Sequence, residues 1–253
     1  MDKRIGAQLF TIRDFCQTLD GFDKSMEKVS RIGYKTVQLS GIGDFSADDV
    51  KKILDKYSLE AVCTHRSPDK YMNDLDGEVD YHNKIGCKIC GIGSMPGFKA
   101  DADTVNKFLY DFNSVASKLK ENNLIFAYHN HAFEFAKEGG KFVFDILTDG
   151  IKSDNFKFIL DVYWLAVAGL NPSKFIMEHS GKIACVHFKD LKIKGNDPTF
   201  ASVGEGNLDW DGIIRSCKES DVGYALVEQD ICDSDPFDCL SRSYEFLSQR
   251  GFE

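Results

Sequence analysis

The stretch "LIFAYHNHAFEF", residues 124–135, changes character halfway along. Its first half is apolar, branched or aromatic, as a buried strand should be. Its second half packs His129, His131 and Glu134 into six positions. Two imidazoles and a carboxylate at the end of a buried strand suggest a metal or proton-transfer site. Whether other segments repeat that pattern decides the fold.

Seven other segments do resemble its first half. Apolar runs occur at "RIGAQLF" (4–10), "TVQLS" (36–40), "LEAVCTH" (59–65), "KICGIGS" (88–94), "FKFILDV" (156–162), "KIACVHFKD" (182–190) and "YALVEQD" (224–230). Helical patterns separate many of them. Residues 21–34 place Phe22, Met26, Val29 and Ile32 on one face, with Gly33 as a stop. Residues 46–58 open with Ser46 as an N-cap and Asp49 three positions on, an acidic variant of the capping box. Residues 101–123, 209–220 and 235–249 continue the rhythm, with Asp209 fitting an N-cap.

Strands alternating with helices must run parallel, because each helix returns the chain to the same edge. Eight such units in 253 residues predict an α/β fold, a single (β/α)₈ TIM barrel over residues 1–253. The nearly continuous apolar strands agree, since barrel strands are covered on both faces. An open doubly wound sheet is the alternative. It would show a glycine fingerprint after the first strand, and "QLFTIRD" has none.

Composition narrows the function. The chain is 43% hydrophobic and 28% charged, with 40 acidic and 31 basic residues and a net charge of −9. That charge opposes a phosphate backbone, so nucleic acid is not an expected partner. "KLKENN" (118–123) and "KDLKIKGN" (189–196) read as solvated faces. The N-terminus lacks a signal h-region and no apolar run is long enough to span a bilayer, so a cytoplasmic location is expected. The eight cysteines (16, 63, 87, 90, 185, 217, 232 and 239) form no disulfide framework. Cys87 and Cys90 make one CxxC without a second, and read as core. "GIGSMPG" (91–97) and "GEG" (204–206) read as turns, and His82 and His179 as surface residues away from the site.

In such a barrel, chemistry sits at the C-terminal ends of the strands. The first three strands offer Gln8, Gln38, and His65 with Arg66 there, while the fourth gives little beyond "GSM". The fifth to eighth each supply a strong ligand: Glu134, Asp161, His187 and Glu228. Buried carboxylates need partners, and a divalent cation is one. Three carboxylates and an imidazole form a hard, oxygen-rich set, suited to Mn²⁺ or Mg²⁺, with Co²⁺ or Zn²⁺ also compatible. Strand parity puts His129 and His131 on one face, which keeps them open as ligands. The reading along the barrel selects Glu134 instead and leaves His129 as an interior hydrogen-bonding group.

Together "GAQLFTIRD", "GYKTVQLSG", "YHNHAFEF", "LDVYWLAVAGLNP", "VHFKD", "VGEGNLDW" and "VEQD" resemble the xylose isomerase-like TIM-barrel superfamily, in order and over nearly the whole chain. The sugar phosphate isomerase/epimerase branch is the nearest match. The resemblance implies one divalent metal held by Glu134, Asp161, His187 and Glu228, with the two glutamates exchanging protons with substrate. It implies a sugar isomerase or epimerase that abstracts a proton beside a metal-bound carbonyl, through an enediolate. His65, His131, Trp164, Lys189 and Gln8 are the expected substrate-binding residues, His131 also orienting Glu134 or assisting its proton transfer.

Two departures stand out. Trp164 replaces a histidine of the ketose epimerases, and no arginine shortly follows the strand-seven histidine. Both favour a larger or modified substrate, such as a keto-inositol, a 3-keto glycoside or a sugar acid. A lyase or dehydratase using the same site is therefore the second reading. A non-catalytic sugar-binding barrel is the third, and a metal-dependent nuclease is disfavoured by the acidic charge. The relatives also imply a homodimer.

Overall fold

The computed structural model describes residues 1–98 and 101–253. Eight parallel strands close into a barrel: β1 (Ile5–Gln8), β2 (Thr36–Leu39), β3 (Glu60–Thr64), β4 (Ile89–Ile92), β5 (Ile125–His129), β6 (Phe156–Asp161), β7 (Ile183–Phe188) and β8 (Tyr224–Val227). Each pairs in parallel with its sequence neighbours, and β8 pairs with β1 to close the ring. All eight expected strands are present, each trimmed by one to three residues at one or both ends.

Helices surround the barrel, and local chemistry sets their starts. Ser46 accepts a hydrogen bond from the Asp49 amide at 3.1 Å and donates to its carboxylate at 2.7 Å, opening the helix Ala47–Lys56. Asp209 caps Trp210–Glu219 through the Gly212 amide at 3.0 Å. Further helices at Leu75–Ile85, Val143–Gly150 and Pro172–Glu178 complete the outer layer where sequence periodicity gave no separate signal.

The strands alternate between two cores, as pleating requires. Phe126, Tyr128, Phe158, Leu160, Val186 and Phe188 face outward into the main core under the helices. Ala127, Ile159, Cys185 and Leu226 belong to a smaller cluster inside the barrel. Space there is tight. A Cβ added to Gly91 would lie 2.6 Å from Ile159 Cδ1 and closer still to the Thr64 carbonyl oxygen, so β4 must carry glycine at that point.

Three expectations change. His82 is not a surface residue. It is fully buried, with Nε2 2.9 Å from Thr64 Oγ1 and Nδ1 2.7 Å from the Glu78 carbonyl. Burial lowers its pKa to about 4, so the ring is neutral. His179 is half-buried and stacks on Phe175 at 4.0 Å between ring centres. Residues 190–201, read in part as a solvated face, form an antiparallel hairpin (Asp190–Lys194 with Asp197–Ala201) rooted on a fully buried aspartate.

Candidate metal centre and cleft

Two residues above the inner apolar cluster, the same four strands end in a polar layer. Ala127, Ile159, Cys185 and Leu226 are followed, on the same face, by His129, Asp161, His187 and Glu228. All four are buried, and one ligand atom from each lies within 4.8 Å of the others. The chain thus brings Asp161, His187 and Glu228 together. The fourth member is His129, not Glu134.

The surrounding bonds fix how each group faces the shared point. His129 Nδ1 lies 3.0 Å from the Gly93 carbonyl, which can only accept, so Nδ1 carries the proton and Nε2 turns inward. His187 Nε2 lies 2.7 Å from Gln38 Oε1, which directs Nδ1 inward. Asp161 Oδ1 caps the next helix through the Tyr163 amide at 2.8 Å, leaving Oδ2 for the site. Buried His187 Nδ1 makes no hydrogen bond although Glu228 Oε2 is only 2.9 Å away. Two imidazoles, each held by an outer partner, and two carboxylates facing one point fit a divalent cation by donor type.

Lys189 neutralises part of this charge. Its buried ammonium sits 2.7 Å from Asp230 Oδ1, 3.2 Å from Glu228 Oε2 and 3.4 Å from Asp161 Oδ2. Burial alone would lower the Lys189 pKa, but Glu228, Asp161 and Asp230 raise it. Burial opposes ionisation of Glu228, yet Lys189 and His187 hold its pKa well below the usual range. Burial likewise opposes a charged His187, but Glu228 and Asp161 raise it to about 10. Burial, then His129, lower His131 to about 3, and burial with His129 and His187 keeps His65 neutral. Asp230 is shifted upward by burial and by Glu228.

Glu134 lies elsewhere. It follows β5 in a short 3₁₀ turn, Phe133–Phe135, and is completely buried. Its Oε1 accepts from the Tyr128 hydroxyl at 2.6 Å and its Oε2 from the His131 amide at 2.8 Å. Burial raises its pKa to about 7 despite both bonds. The turn takes Glu134 off the strand's alternation and onto Tyr128, whose side chain points outward from the barrel.

Above the polar layer opens a cleft of about 360 Å³. His65, His131, Lys189, Glu228 and Asp230 reach its wall. Gln8 and Trp164 do not. Gln8 is buried and caps the following turn through the Phe10 amide at 3.0 Å. Trp164 stands behind the wall, with Lys189 Nζ 5.3 Å from its ring and His131 at 5.3 Å between centres. Arg66 turns away to pair with Glu78 at 2.8 Å. Asp230, Ser40, Ser94 and Phe10, none of them among the residues expected at the site, also line the cleft. Asp230 shares a side of β8 with Glu228, two residues on, and that parity was the available signal.

The sequence profile of the xylose isomerase-like TIM barrel matches residues 26–247, and the chain belongs to that family. No match was found among curated proteins. Among solved structures, a sugar phosphate isomerase/epimerase from Parabacteroides distasonis ATCC 8503 is similar at 19% identity and a TM-score of 0.81, over 100% of this chain and 96% of that one. A probable 3-DHS dehydratase of petrobactin synthesis from Bacillus anthracis is similar at 14% identity and 0.76, over 98% and 99%. A D-allulose 3-epimerase from Methylomonas sp. is similar at 14% and 0.74, over 98% and 97%. At these identities the likeness shows the shared barrel. Among the described residues, no helix is long and apolar enough to cross a membrane.

Proposed function

We propose that the chain is a divalent-metal-dependent enzyme that isomerises or epimerises a small keto-sugar or sugar derivative by proton abstraction. The observation that carries this reading is the group His129, Asp161, His187 and Glu228, whose ligand atoms meet within 4.8 Å beside the cleft. These four would hold the ion, with Mn²⁺ or Mg²⁺ the expected occupants. Once bound, the ion supplies Lewis acidity toward a carbonyl oxygen. Glu228, kept ionised by Lys189 and His187 and open to the cleft, is the base that removes the neighbouring proton. It returns that proton to the adjacent carbon in an isomerisation, while an epimerisation takes its proton from Asp230 or water on the other face. Lys189 keeps the carboxylates of Glu228, Asp161 and Asp230 in place at 2.7–3.4 Å. His65 and His131, both neutral, offer hydrogen bonds to substrate hydroxyls.

Glu134, expected from sequence to be the second acid/base group and a metal ligand, is bonded to Tyr128 and the His131 amide and does not line the cleft. That observation favours elimination as the second reading. A lyase needs one base and an acid for the leaving group, and Asp230, on the cleft wall two residues from Glu228, is placed for the latter role.

Titration with Mn²⁺ and deuterium wash-in from heavy water into a ketose panel test the proposal. Glu228→Gln should lower exchange by about 100-fold or more while the barrel stays folded. Full exchange in that variant, or a wild-type protein that takes up no divalent ion, would overturn the assignment.

A further inference from the structure

We propose that the cleft is built for an uncharged sugar carrying an apolar substituent, and against a phosphorylated sugar. The inference deepens the proposed function and rests on that reading for the place where substrate binds.

The first observation is the loop after β7. Barrels of this kind frequently hold phosphate with backbone amides from the loops after the seventh and eighth strands. Here five donors of the loop after β7 are taken by one side chain. Asp190 Oδ2 accepts from the Gly204 amide at 2.8 Å, the Gly206 amide at 3.0 Å and the Trp210 indole at 2.7 Å. Its Oδ1 accepts from the Leu191 amide at 2.8 Å and the Leu208 amide at 3.3 Å. The Asp190 side chain is completely buried. The chain's own carboxylate occupies a cradle of N–H donors of the kind that elsewhere takes an anion.

The second observation is the state of the cations. Lys189 is the sole lysine or arginine on the cleft wall among the described residues, and three carboxylates already surround it. Neither of the two nearby arginines lines the cleft. Arg13 donates to the carbonyls of Phe10 and Asp230 at 2.7 and 3.0 Å, and Arg66 forks onto Glu78. A phosphate dianion in the cleft would face Glu228 and Asp230, and the one cation among the described wall residues, Lys189, is already shared by three carboxylates.

The third observation is the outer wall. Phe10, Pro68, Met95 and Pro96 line it, with glycines 41, 93 and 97 between. The Phe10 ring is held from one side by the Arg13 guanidinium, 4.2 Å from its centre. The polar groups lie deep and this apolar side lies above them. A sugar ring held below therefore projects its substituent along an apolar surface.

Equilibrium binding of the full-length protein, with and without Mn²⁺, tests this with three probes: methyl β-D-glucopyranoside, phenyl β-D-glucopyranoside and glucose 6-phosphate. The phenyl glycoside should bind about tenfold more tightly than the methyl glycoside, the effect of covering one ring. Glucose 6-phosphate should bind more weakly than the methyl glycoside. Phe10→Ala should remove most of the phenyl advantage, weakening phenyl-glycoside binding far more than methyl-glycoside binding; Phe10→Leu, which keeps more bulk, should remove part of it. Tighter binding of the phosphate, equal binding of the two glycosides, a phenyl advantage untouched by either variant, or no binding of any probe would overturn the inference. The two proposals fail separately. Proton exchange with a phosphate preference would remove the substrate class and leave the reaction. The stated preference without Mn²⁺ uptake or exchange would remove the reaction and leave the substrate class.

Discussion

Two layers inside the barrel lie two residues apart on the same four strands, and they could hardly differ more. The lower holds Ala127, Ile159, Cys185 and Leu226, and the upper holds His129, Asp161, His187 and Glu228. Both are buried and both point inward. The upper layer tolerates charge because every member has a partner: Gly93 for His129, the helix amides for Asp161, Gln38 for His187 and Lys189 for Glu228. The lower layer has only methyl groups and a thiol. The comparison teaches that burial alone does not decide which residues a barrel interior accepts. What decides it is whether the strand ends and loops can supply hydrogen-bond partners.

Ile159→Asp breaks that comparison most severely. It moves a carboxylate from the partnered layer to the unpartnered one, beside Gly91 and the Thr64 carbonyl oxygen. Stability should fall by about 4 kcal/mol or more, enough to unfold many domains. Urea unfolding of the purified variant, or its failure to appear in the soluble fraction, measures this. A loss below about 1 kcal/mol would mean that the lower layer has partners or water available to it.

The same two layers explain what was legible in the sequence. Strand number and order followed from apolar runs that recur wherever a strand is covered on both faces. Asp161, His187 and Glu228 were legible because a fixed alternation carries the eye from an interior residue to the next inward position. His129 obeys that alternation too, two residues beyond Ala127. Glu134 does not, since it lies after the strand, in a 3₁₀ turn whose geometry no period describes. Its chemical type suggested a ligand, and its surroundings give it Tyr128 instead. Asp190 was illegible for a related reason. Its partners are amides up to eighteen positions away, brought back by a hairpin that the local pattern did not announce. His82 failed because its helix turns Glu78, Val79, His82 and Ile85 inward, so a polar residue sits on a buried stripe.

Glu134 sharpens the comparison, being a buried carboxylate outside both layers. Its pKa is about 7 in the folded protein against 4.5 for an unperturbed glutamate. The folded state therefore favours the protonated form. The associated stability is fully present below about pH 4.5 and is lost as pH rises through about 7, a change of roughly 3 kcal/mol. Glu134→Gln removes the titration and keeps an amide oxygen for Tyr128. The drop in unfolding free energy between pH 5 and pH 8 should shrink by up to that amount relative to the unmodified chain. Parallel pH profiles for the two proteins would show that Glu134 is ionised across the whole range, with a second cationic or donor group beside it.

The smallest effect tests the outer partners of the upper layer. Gln38 reaches across the barrel from β2 and holds His187 Nε2 at 2.7 Å. If that bond aims Nδ1 at a metal, its loss should loosen the ligand without removing it. Gln38→Leu should weaken Mn²⁺ binding by about 10–100-fold, the range for losing a partner of a ligating histidine. Gln38→Glu keeps an acceptor at the same reach and should retain most of the affinity. Isothermal titration of the three proteins separates the possibilities, because a general loss of packing would weaken both variants alike. Equal affinity in all three would mean that His187 is oriented by the barrel wall and not by its hydrogen bond. The polar layer would then owe its geometry to strand register rather than to the partners around it.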